Sequence, residues 1–308
     1  MGTALIFPGQ GSQREQMAQP WRVEPSFARW EEASDVLGWD VTRLGLEASA
    51  DELREPAACQ VALFVHAAVL LEAWQARAPG PPVVTAGHSL GEYDSLLAAG
   101  VLPFADALRL VDVRARATQA AAQEHPGGMV ACLGYEVDDV AQACDEVGAF
   151  VANDNAPGQV VAAGPHEALA ALKERLGRVE GTGRTKVMDI AVGAAYHSPH
   201  MAPAVDELGP ALDSARFSDA TLPVVANVDA RAHTAGGDWP ALLCEQVTTP
   251  VRWRESVAAL AEAGATEVVE LGASAVLTGL VKRTDRSLGR RTVTTPEELD
   301  ASAQEVAR

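Results

Sequence analysis

Hydrophobic and polar positions alternate in blocks along the first 125 residues of the chain. Short, continuously apolar runs of strand length alternate with longer segments in which apolar residues recur every three or four positions. The predicted elements are strands at 3–7 and 83–84 and helices at 61–77, 92–99 and 105–123. Alternating strands and helices are typical of a mainly parallel sheet that is covered by helices.

The pattern changes between residues 127 and 194, where two strands follow each other without a helix between them. The predicted order is βαββαβ, with strands at 128–135, 150–153, 159–163 and 185–192 and helices at 138–147 and 166–176. This order is that of a ferredoxin-like unit. Small and flexible residues flank it at 126–128 and 193–195, as is expected at a domain boundary.

Helices and strands alternate again after residue 195. The predicted elements are helices at 199–212, 239–247, 255–262 and 274–283, strands at 222–228, 267–271 and 291–294, and a polar helical tail beyond Pro296. We therefore predict an α/β fold in which a large, mainly parallel sheet domain (residues 1–126 and 195–308) is interrupted by a ferredoxin-like subdomain (127–194). A cleft between the two is the expected binding site.

Composition narrows the classes of function. The 308 residues carry 42 acidic and 24 basic side chains, and the formal net charge of −18 disfavours binding to nucleic acid or an anionic membrane. The four cysteines are widely spaced and form no C-x-x-C pair, so we expect reduced thiols, no zinc site and a cytoplasmic location. We also expect no signal peptide and no apolar stretch near the roughly 20 residues that span a bilayer.

A Gly-x-Ser-x-Gly sequence occupies residues 87–91, between a predicted strand and a predicted helix. This setting is that of a nucleophile elbow, in which glycines permit a tight turn and a serine hydroxyl is presented at a helix N-terminus. The backbone N–H of Leu90 would then face an oxyanion formed at Ser89. The same spacing also fits a serine that only caps the helix.

A serine nucleophile requires a base, and the chain has seven histidines. His88 is adjacent to Ser89, but on a sharp turn its side chain should point elsewhere. His197 is better placed, because it lies at the end of a predicted strand and at the junction between the subdomain and the large domain. A histidine in this position is also compatible with a surface or helix-capping residue.

Two further features are unusual for a domain without a catalytic site. Residues 7–13, Phe-Pro-Gly-Gln-Gly-Ser-Gln, follow the first strand directly and can supply a second backbone N–H at its end. They lack the third glycine and the acidic residue of a dinucleotide site, so we reject NAD binding. Arg114 lies on the apolar face of the helix at 105–123, and its charge either points inward at an anion or extends to the edge of that face.

Together these residues resemble the malonyl-CoA:acyl-carrier-protein transacylase family and the related acyltransferase domains of polyketide synthases. The resemblance covers nearly the whole chain. It rests on eight segments in the family's order, at residues 7–13, 87–93, 113–114, 153–161, 197–201, 227–228, 246–251 and 277–280. The family has a hydrolase-like α/β domain with a ferredoxin-like insert, so the resemblance implies the same architecture as the hydrophobic pattern.

The resemblance also implies a Ser–His dyad. Ser89 would be the acylated nucleophile, and His197 would be its general base and then its acid. Gln246 would orient the imidazole through its backbone carbonyl, without an acidic third member. The backbone N–H groups of Gln10 and Leu90 would form the oxyanion hole.

The substrates follow from the same resemblance. Malonyl-CoA and the phosphopantetheine thiol of an acyl carrier protein would react in turn with the serine, without a cofactor or a metal. Arg114 would bind the free carboxylate of the malonyl group, because a guanidinium matches a carboxylate with two parallel hydrogen bonds. The predicted substrate-binding set is completed by Tyr196, His88 and Gln60.

The chain departs from the family pattern at two positions near this site. Asp94 stands where a small residue is usual and places a charge near the helix that follows the nucleophile. Tyr196 stands where malonyl-selective polyketide domains often have phenylalanine and methylmalonyl-selective ones serine. A bulky tyrosine should crowd an α-methyl group and favour unsubstituted malonyl, while its hydroxyl leaves room for a polar extender unit.

A basic cluster near the C-terminus is a candidate docking surface for an acidic carrier protein. Five of the 24 basic residues fall within ten positions, namely Lys282, Arg283, Arg286, Arg290 and Arg291. The alternative is that these cations only stabilise the C-terminal end of a helix.

Three other functions fit parts of the pattern. An editing hydrolase would release the acyl group to water, but relatives of that kind typically lack the arginine found at 114. A transferase between two carrier proteins fits the same residues. An inactive docking module is disfavoured by the intact set of catalytic candidates.

Overall fold

Two separate β-sheets organise the chain. The computed structural model describes residues 2–77, 80–178 and 184–306. Its strands are β1 (Thr3–Phe7), β2 (Val84–Gly87), β3 (Gly128–Leu133), β4 (Phe150–Ala156), β5 (Gln159–Gly164), β6 (Lys186–Ile190), β7 (Val224–Val225), β8 (Ala232–His233), β9 (Glu267–Leu271) and β10 (Gly289–Val293).

Helices connect the strands and cover the sheets. They are α1 (Ala28–Leu37), α2 (Thr42–Leu46), α3 (Pro56–Arg77), α4 (Gly91–Ala98), α5 (Phe104–Glu124), α6 (Val137–Val147), α7 (His166–Leu176), α8 (Ala202–Ser214), α9 (Trp239–Gln246), α10 (Trp253–Glu262), α11 (Leu277–Thr284) and α12 (Pro296–Val306). The predicted mixed α/β fold, with one mainly parallel sheet and a separate second sheet, is confirmed.

The first sheet has the order β10-β9-β1-β2-β7-β8. Neighbouring strands from β10 to β7 run parallel, and only β8 is antiparallel to its neighbour. In β1, Leu5 and Phe7 point into the core that α3 fills, while Ala4 and Ile6 point into the core beside α10. Because both faces of the strand are covered, its sequence is a continuous apolar run.

The second sheet has the order β4-β5-β3-β6, and all of its strand pairs are antiparallel. Val130 and Cys132 of β3 point into a core shared with α6 and α7, while Met129 points to the opposite face, toward Ala195. A parallel bridge between Asn153 and Val251 joins β4 to the segment before α10. This bridge therefore connects the second sheet to the segment that precedes α10.

One prediction about apolar segments is wrong. Among the described residues, α3 is long and apolar enough to cross a membrane, with a mean hydropathy of 1.6 over its best 18-residue window, and 83% of that window is buried inside the protein. The helix is packed against α1, α4 and α5. A helix that is surrounded by protein is apolar on all sides, which accounts for its composition.

Most predicted elements agree with the structure to within a few residues. Two do not: the strand predicted at 222–228 is only Val224–Val225, and the helix predicted at 199–212 begins with a 3-10 turn at Pro199–Met201. In addition, α1 and α2 were not predicted individually. The strand is short because the N–H of Asn227 donates to the carboxylate of Glu92 instead of to a neighbouring strand.

Candidate active site

The turn between β2 and α4 carries Ser89 and requires glycine at two positions. A Cβ on Gly87 would lie 1.8 Å from the carbonyl oxygen of Gly91, and a Cβ on Gly91 would lie 2.1 Å from that of Phe7. Ser89 itself has a left-handed backbone, with φ of 55°. This geometry is that of a strained strand–turn–helix elbow.

Two amide side chains hold the backbone of Ser89. Its N–H donates to Oδ1 of Asn227 (2.7 Å), and its carbonyl accepts from Nε2 of Gln246 (2.9 Å). A left-handed conformation costs a non-glycine residue about 1–2 kcal/mol. Hydrogen bonds on both sides of the Cα stabilise the strained conformation, and Oγ is left to face the cleft.

His197 contacts the hydroxyl of Ser89. Its Nε2 lies 2.7 Å from Oγ, and its Nδ1 lies 2.8 Å from the backbone carbonyl of Gln246. A carbonyl can only accept, so Nδ1 carries the proton and Nε2 is free to accept from the serine. Burial, and then the charge of Arg114, lower the pKa of His197 to about 3. The imidazole is therefore neutral at physiological pH, as a general base must be.

The segment after β1 lies directly against the elbow. A Cβ on Gly9 would be 2.6 Å from the carbonyl oxygen of His88 and 3.6 Å from the backbone nitrogen of Leu90. Within the described part of the chain, the N–H groups of Gln10 and Leu90 donate to no protein acceptor. Two unpaired N–H groups beside a serine hydroxyl can stabilise an oxyanion.

Arg114 places a buried positive charge beside the nucleophile. The residue is 4% exposed, and its Nη2 donates to Oγ of Ser89 (3.0 Å) and to Oε1 of Gln246 (3.1 Å). Its Nη1 donates to Oε1 of Gln60 (2.5 Å), and its Cζ lies 5.8 Å from the ring centre of Tyr93. None of the ion pairs among the described residues involves this guanidinium. A buried cation without a carboxylate partner can bind an anionic ligand.

The structure separates the three remaining substrate-binding candidates. Tyr196 and His88 line the cavity at the nucleophile, whereas Gln60 contacts Arg114 and does not line it. Burial raises the pKa of the Tyr196 phenol to about 12. His88 contacts the second sheet, because its Nε2 lies 2.8 Å from Oδ1 of Asn155 in β4.

A cavity of about 190 Å³ lies between the two sheets, over Ser89. One wall is the face of the second sheet, with Met129, Val161 and Ile190, and the opposite wall comes from α11. Amide side chains of Asn153, Asn155 and Gln159 complete the lining. The lining therefore offers a ligand both apolar surface and amide hydrogen-bonding groups.

Sequence reasoning missed Glu92 and Asn227 as functional residues, although both belong to segments that carry the resemblance. Their carboxylate and amide are buried beside the elbow and bond to each other across 135 positions. The available signal was an acidic residue directly after the elbow, in the first turn of a helix with no solvent-exposed face there.

Asp94, where the sequence predicts a charge near the elbow helix, is buried without a partner in the described part of the chain. Asp94 is 1% exposed, and neither carboxylate oxygen has a hydrogen-bond partner among the described residues. Burial raises the pKa of this carboxyl well above its ordinary value, so the neutral acid is favoured.

The basic cluster divides into two groups. Arg291 pairs with Glu267 (2.7 Å) and Arg290 donates to the carbonyl of Leu288 (2.6 Å), so both are used within the fold. The other three, Lys282, Arg283 and Arg286, are exposed. They lie on or directly after α11, whose Leu277 and Leu280 line the cavity. The described residues contain no group of three or more His, Cys, Asp or Glu side chains that could hold a metal ion.

Comparison with known proteins gives the same picture. The model of a family described as an acyl transferase domain matches residues 4–307. A malonyl CoA-acyl carrier protein transacylase of Salmonella typhimurium is 39% identical, over 97% of this chain and 98% of its own length. A malonyl CoA-acyl carrier protein transacylase of Mycobacterium bovis is 35% identical, over 97% of this chain and 99% of its own length.

Solved structures agree with the sequence relatives. A type II polyketide synthase acyl-carrier protein has been solved in complex with its malonyl-transacylase, and a chain of that complex superposes with a TM-score of 0.94, 33% identity and coverage of 99% of this chain and 100% of that one. An acyl carrier protein S-malonyltransferase of Vibrio cholerae superposes with a TM-score of 0.93 and 33% identity, covering 98% of this chain and 100% of that one.

Proposed function

The chain belongs to the acyl transferase domain family, among the malonyl CoA-acyl carrier protein transacylases, and from this we propose that it moves a malonyl group from CoA to an acyl carrier protein. The group would travel through an ester on Ser89 to the phosphopantetheine thiol of the carrier, in fatty-acid or polyketide synthesis. The acceptor is supported by the solved complex of a related enzyme with its acyl-carrier protein.

The observation that carries the malonyl assignment is the environment of Arg114. Its guanidinium is buried, lies 3.0 Å from the hydroxyl of Ser89 and has no carboxylate partner in the described chain. An acyl group with a free carboxylate, attached at Ser89, would supply that partner through two parallel hydrogen bonds. An acetyl group would leave the buried charge unpaired.

The reaction has two half-reactions with the same chemistry. As Oγ of Ser89 attacks the thioester carbon, its proton passes to Nε2 of His197, and the N–H groups of Gln10 and Leu90 stabilise the oxyanion. The C–S bond then breaks, and the departing CoA sulfur takes the proton from His197. The thiol of the carrier protein reverses these steps on the malonyl ester, which gives ping-pong kinetics.

Tyr196 supports unsubstituted malonyl as the cargo. Its ring lines the cavity next to His197 and Ser89. A substituent on the α-carbon of the malonyl group would have to displace this ring. Its hydroxyl remains compatible with a polar extender unit.

The second sheet and its two helices, at 127–194, are proposed to be a ferredoxin-like subdomain inserted into a hydrolase-like domain formed by 1–126 and 195–308. The strand–helix order of the observed elements supports this division. We also propose a cytoplasmic enzyme that needs no cofactor, because the family's substrates and the residues around Ser89 are sufficient for acyl transfer.

Mass spectrometry of the intact protein tests the proposal. Incubation with malonyl-CoA should give a malonyl adduct that is absent in Ser89→Ala. Arg114→Ala should lose about 100-fold in malonyl loading and should gain in acetyl loading, since removing one partner of a buried charge pair costs about 2–5 kcal/mol. Arg116→Ala, on the exposed face of α5, is the matched control and should load like the wild type.

Two outcomes would contradict this function. Rapid release of malonate without an adduct points to an editing hydrolase. Wild-type malonyl loading by Arg114→Ala excludes the guanidinium as the carboxylate-binding group.

A further inference from the structure

A carboxylate that does not line the cavity lies next to the backbone of the nucleophile. Glu92 is in the first turn of α4, three positions after Ser89, and its side chain is fully buried. A buried carboxylate is unfavourable unless hydrogen bonds compensate for the loss of water. Its partners therefore indicate what it does.

Three N–H donors converge on Glu92. Its Oε1 accepts from the backbone N–H of Asn227 (2.7 Å) and from Nδ2 of the same residue (3.0 Å). Its Oε2 accepts from Nε2 of Gln246 (2.5 Å). These are the two amide side chains that hold the N–H and the carbonyl of Ser89.

The direction of both amides follows from this arrangement. A carboxylate can only accept, so Asn227 and Gln246 must both turn their NH2 groups toward Glu92. The amide oxygen of Asn227 is then available to the N–H of Ser89, and that of Gln246 to Nη2 of Arg114. Had either amide the opposite orientation, a donor would face a donor at Ser89 or at Arg114.

We infer that Glu92 is a positioning residue, whose carboxylate orients the amides of Asn227 and Gln246 and thereby places both Ser89 and the malonyl-binding guanidinium of Arg114. This inference rests on the proposed function, because Arg114 matters only for an acyl group that carries a carboxylate. One branch of the network, through Asn227, holds the nucleophile. The other, through Gln246, also sets the selectivity.

The electrostatics of the site agree with this role. Burial raises the pKa of Glu92 to about 7, while its hydrogen bonds with Asn227 and Gln246 and the charge of Arg114 act in the opposite direction. Glu92 and Arg114 form no direct ion pair, and the amide of Gln246 lies between them. The guanidinium therefore remains available to a substrate carboxylate.

The test is the isosteric variant Glu92→Gln. Its carbonyl can keep both hydrogen bonds from Asn227, but its NH2 group then faces Nε2 of Gln246. We expect kcat/KM for malonyl loading of Ser89 to fall about 10- to 100-fold, with a higher KM for malonyl-CoA. Acetyl loading should fall less, so the malonyl-to-acetyl ratio should drop about tenfold.

Glu270→Gln is the matched control. Glu270 is also fully buried and accepts three N–H groups, from Val276, Leu277 and Thr278 at 2.8–2.9 Å, but at the start of α11. This variant should lose stability without changing the malonyl-to-acetyl ratio. If Glu92→Gln folds and its malonyl-to-acetyl ratio is unchanged, the inference about Glu92 is overturned but the proposed function is not. If the wild-type protein is not malonylated, the proposed function itself is contradicted.

A second pair of variants covers the case in which Glu92→Gln does not fold. Gln246→Met keeps the backbone carbonyl that faces His197 but removes the amide, so the malonyl-to-acetyl ratio should again fall about tenfold. Asn227→Ala removes the amide that accepts from the N–H of Ser89 and donates to Glu92, and it leaves the amide of Gln246 in place, so malonyl and acetyl loading should fall by the same factor. If the malonyl-to-acetyl ratio changes by the same factor in both variants, the two branches do not differ and the inference is overturned.

Discussion

At the scale of single residues, hydrogen-bond direction explains most of the geometry at Ser89. The backbone carbonyl of Gln246 sets the tautomer of His197, and the carboxylate of Glu92 sets the orientation of the amides that hold Ser89. Each of these groups has only one role as donor or acceptor, so each leaves its neighbour a single arrangement. The site is therefore ordered before a substrate enters.

The pH dependence of loading should reflect Glu92 rather than His197. The pKa of His197 is lowered to about 3, so the base stays neutral from pH 5 upward, while that of Glu92 is raised to about 7. As the pH falls through 7, Glu92 gains a proton and one of its three donors loses its acceptor. We expect the rate of Ser89 malonylation, measured by rapid quench, to fall below about pH 7.

Glu92→Gln cannot take up that proton, so its lower rate should be flat across the same range. If the malonylation rate of Glu92→Gln still falls at acid pH, with a midpoint near the ordinary histidine pKa of about 6.5, then His197 titrates instead.

Asp94 should lower the stability of the protein at neutral pH. Its carboxyl is buried without a partner, and its pKa is raised, so the folded protein binds a proton that the unfolded chain releases above about pH 4. The contribution of Asp94 to the free energy of unfolding is therefore most favourable at low pH and decreases as the pH rises. Asp94→Ala should stabilise the protein by about 1–3 kcal/mol at pH 7 in urea titrations.

Asp94→Asn separates the two causes of this effect. It keeps a buried polar group but cannot ionise, so it should remove the pH dependence between pH 4 and 7 without the full gain in stability. If neither variant changes the pH dependence, Asp94 has a partner that stabilises its charged form.

The sequence predicted the residues that meet at this site better than it predicted what holds them. Ser89, His197, Gln246 and Arg114 were predicted as one site, and the structure places them within hydrogen-bond distance of one another. The partners of Glu92 could not be predicted, because they are 135 and 154 positions away. A carboxylate after a turn looks like an ordinary first-turn residue until the fold is known.

At the scale of elements, the elbow is defined by close backbone approaches. The carbonyl oxygen of Phe7 lies where a Cβ on Gly91 would be, so β1 and α4 can meet only if position 91 has no side chain. Glycine in a helix otherwise costs about 0.5–1 kcal/mol relative to alanine. Two of the helical glycines, Gly91 and Gly279, should therefore respond oppositely to the same substitution.

Gly91→Ala should destabilise the protein by more than about 3 kcal/mol or prevent folding, since backbone atoms cannot move away cheaply. Gly279→Ala, in α11, meets no atom within 4 Å and should stabilise it by about 0.5–1 kcal/mol. Urea unfolding monitored by circular dichroism measures both. A tolerated alanine at 91 would mean that β1 and α4 are not in contact in solution.

Element boundaries were predicted well where hydrophobic periodicity is long and poorly where tertiary contacts decide. The helix α7 has its predicted bounds, whereas the predicted strand at 222–228 is reduced to two residues. Val224–Val225 lies between β2 and β8, and the chain leaves the sheet to bring Asn227 to Glu92. Such an exit depends on a partner far away in sequence, so local propensity does not show it.

At the scale of the whole molecule, charge is distributed unevenly. The chain carries a formal net charge of −18, yet exposed cations cluster at Lys282, Arg283 and Arg286, next to the wall of the cavity. Repulsion from the rest of the surface should hold an acidic carrier protein away except at this cluster. We therefore predict that these three of the five residues form the docking surface.

The double variant Arg283→Glu, Arg286→Glu should raise the KM for the carrier protein about tenfold or more at low salt, and added salt should reduce the difference. Transfer to free pantetheine, which has no protein surface, should not change. Arg22→Glu, Arg216→Glu makes the same change in charge at two exposed positions elsewhere and is the control. A wild-type KM in the first variant would exclude this docking surface.

The division into two sheets followed from the sequence, but their mutual placement did not. The βαββαβ order between 127 and 194 is a local pattern, and the observed elements follow it. The order of the first sheet places β1, the first strand in the chain, between β9 and β2, which no local pattern specifies. The bridge from Asn153 to Val251 is equally non-local.

The left-handed backbone of Ser89 and His197, each with φ of 55°, has an evolutionary consequence. Glycine adopts this conformation without strain, so a chain released from selection for acyl transfer would gain about 1 kcal/mol from glycine at either position. Inactive descendants of such an enzyme should therefore drift toward glycine there while keeping the fold. Serine and histidine at these two positions are a signature of continued use, which can be read in a relative before its activity is measured.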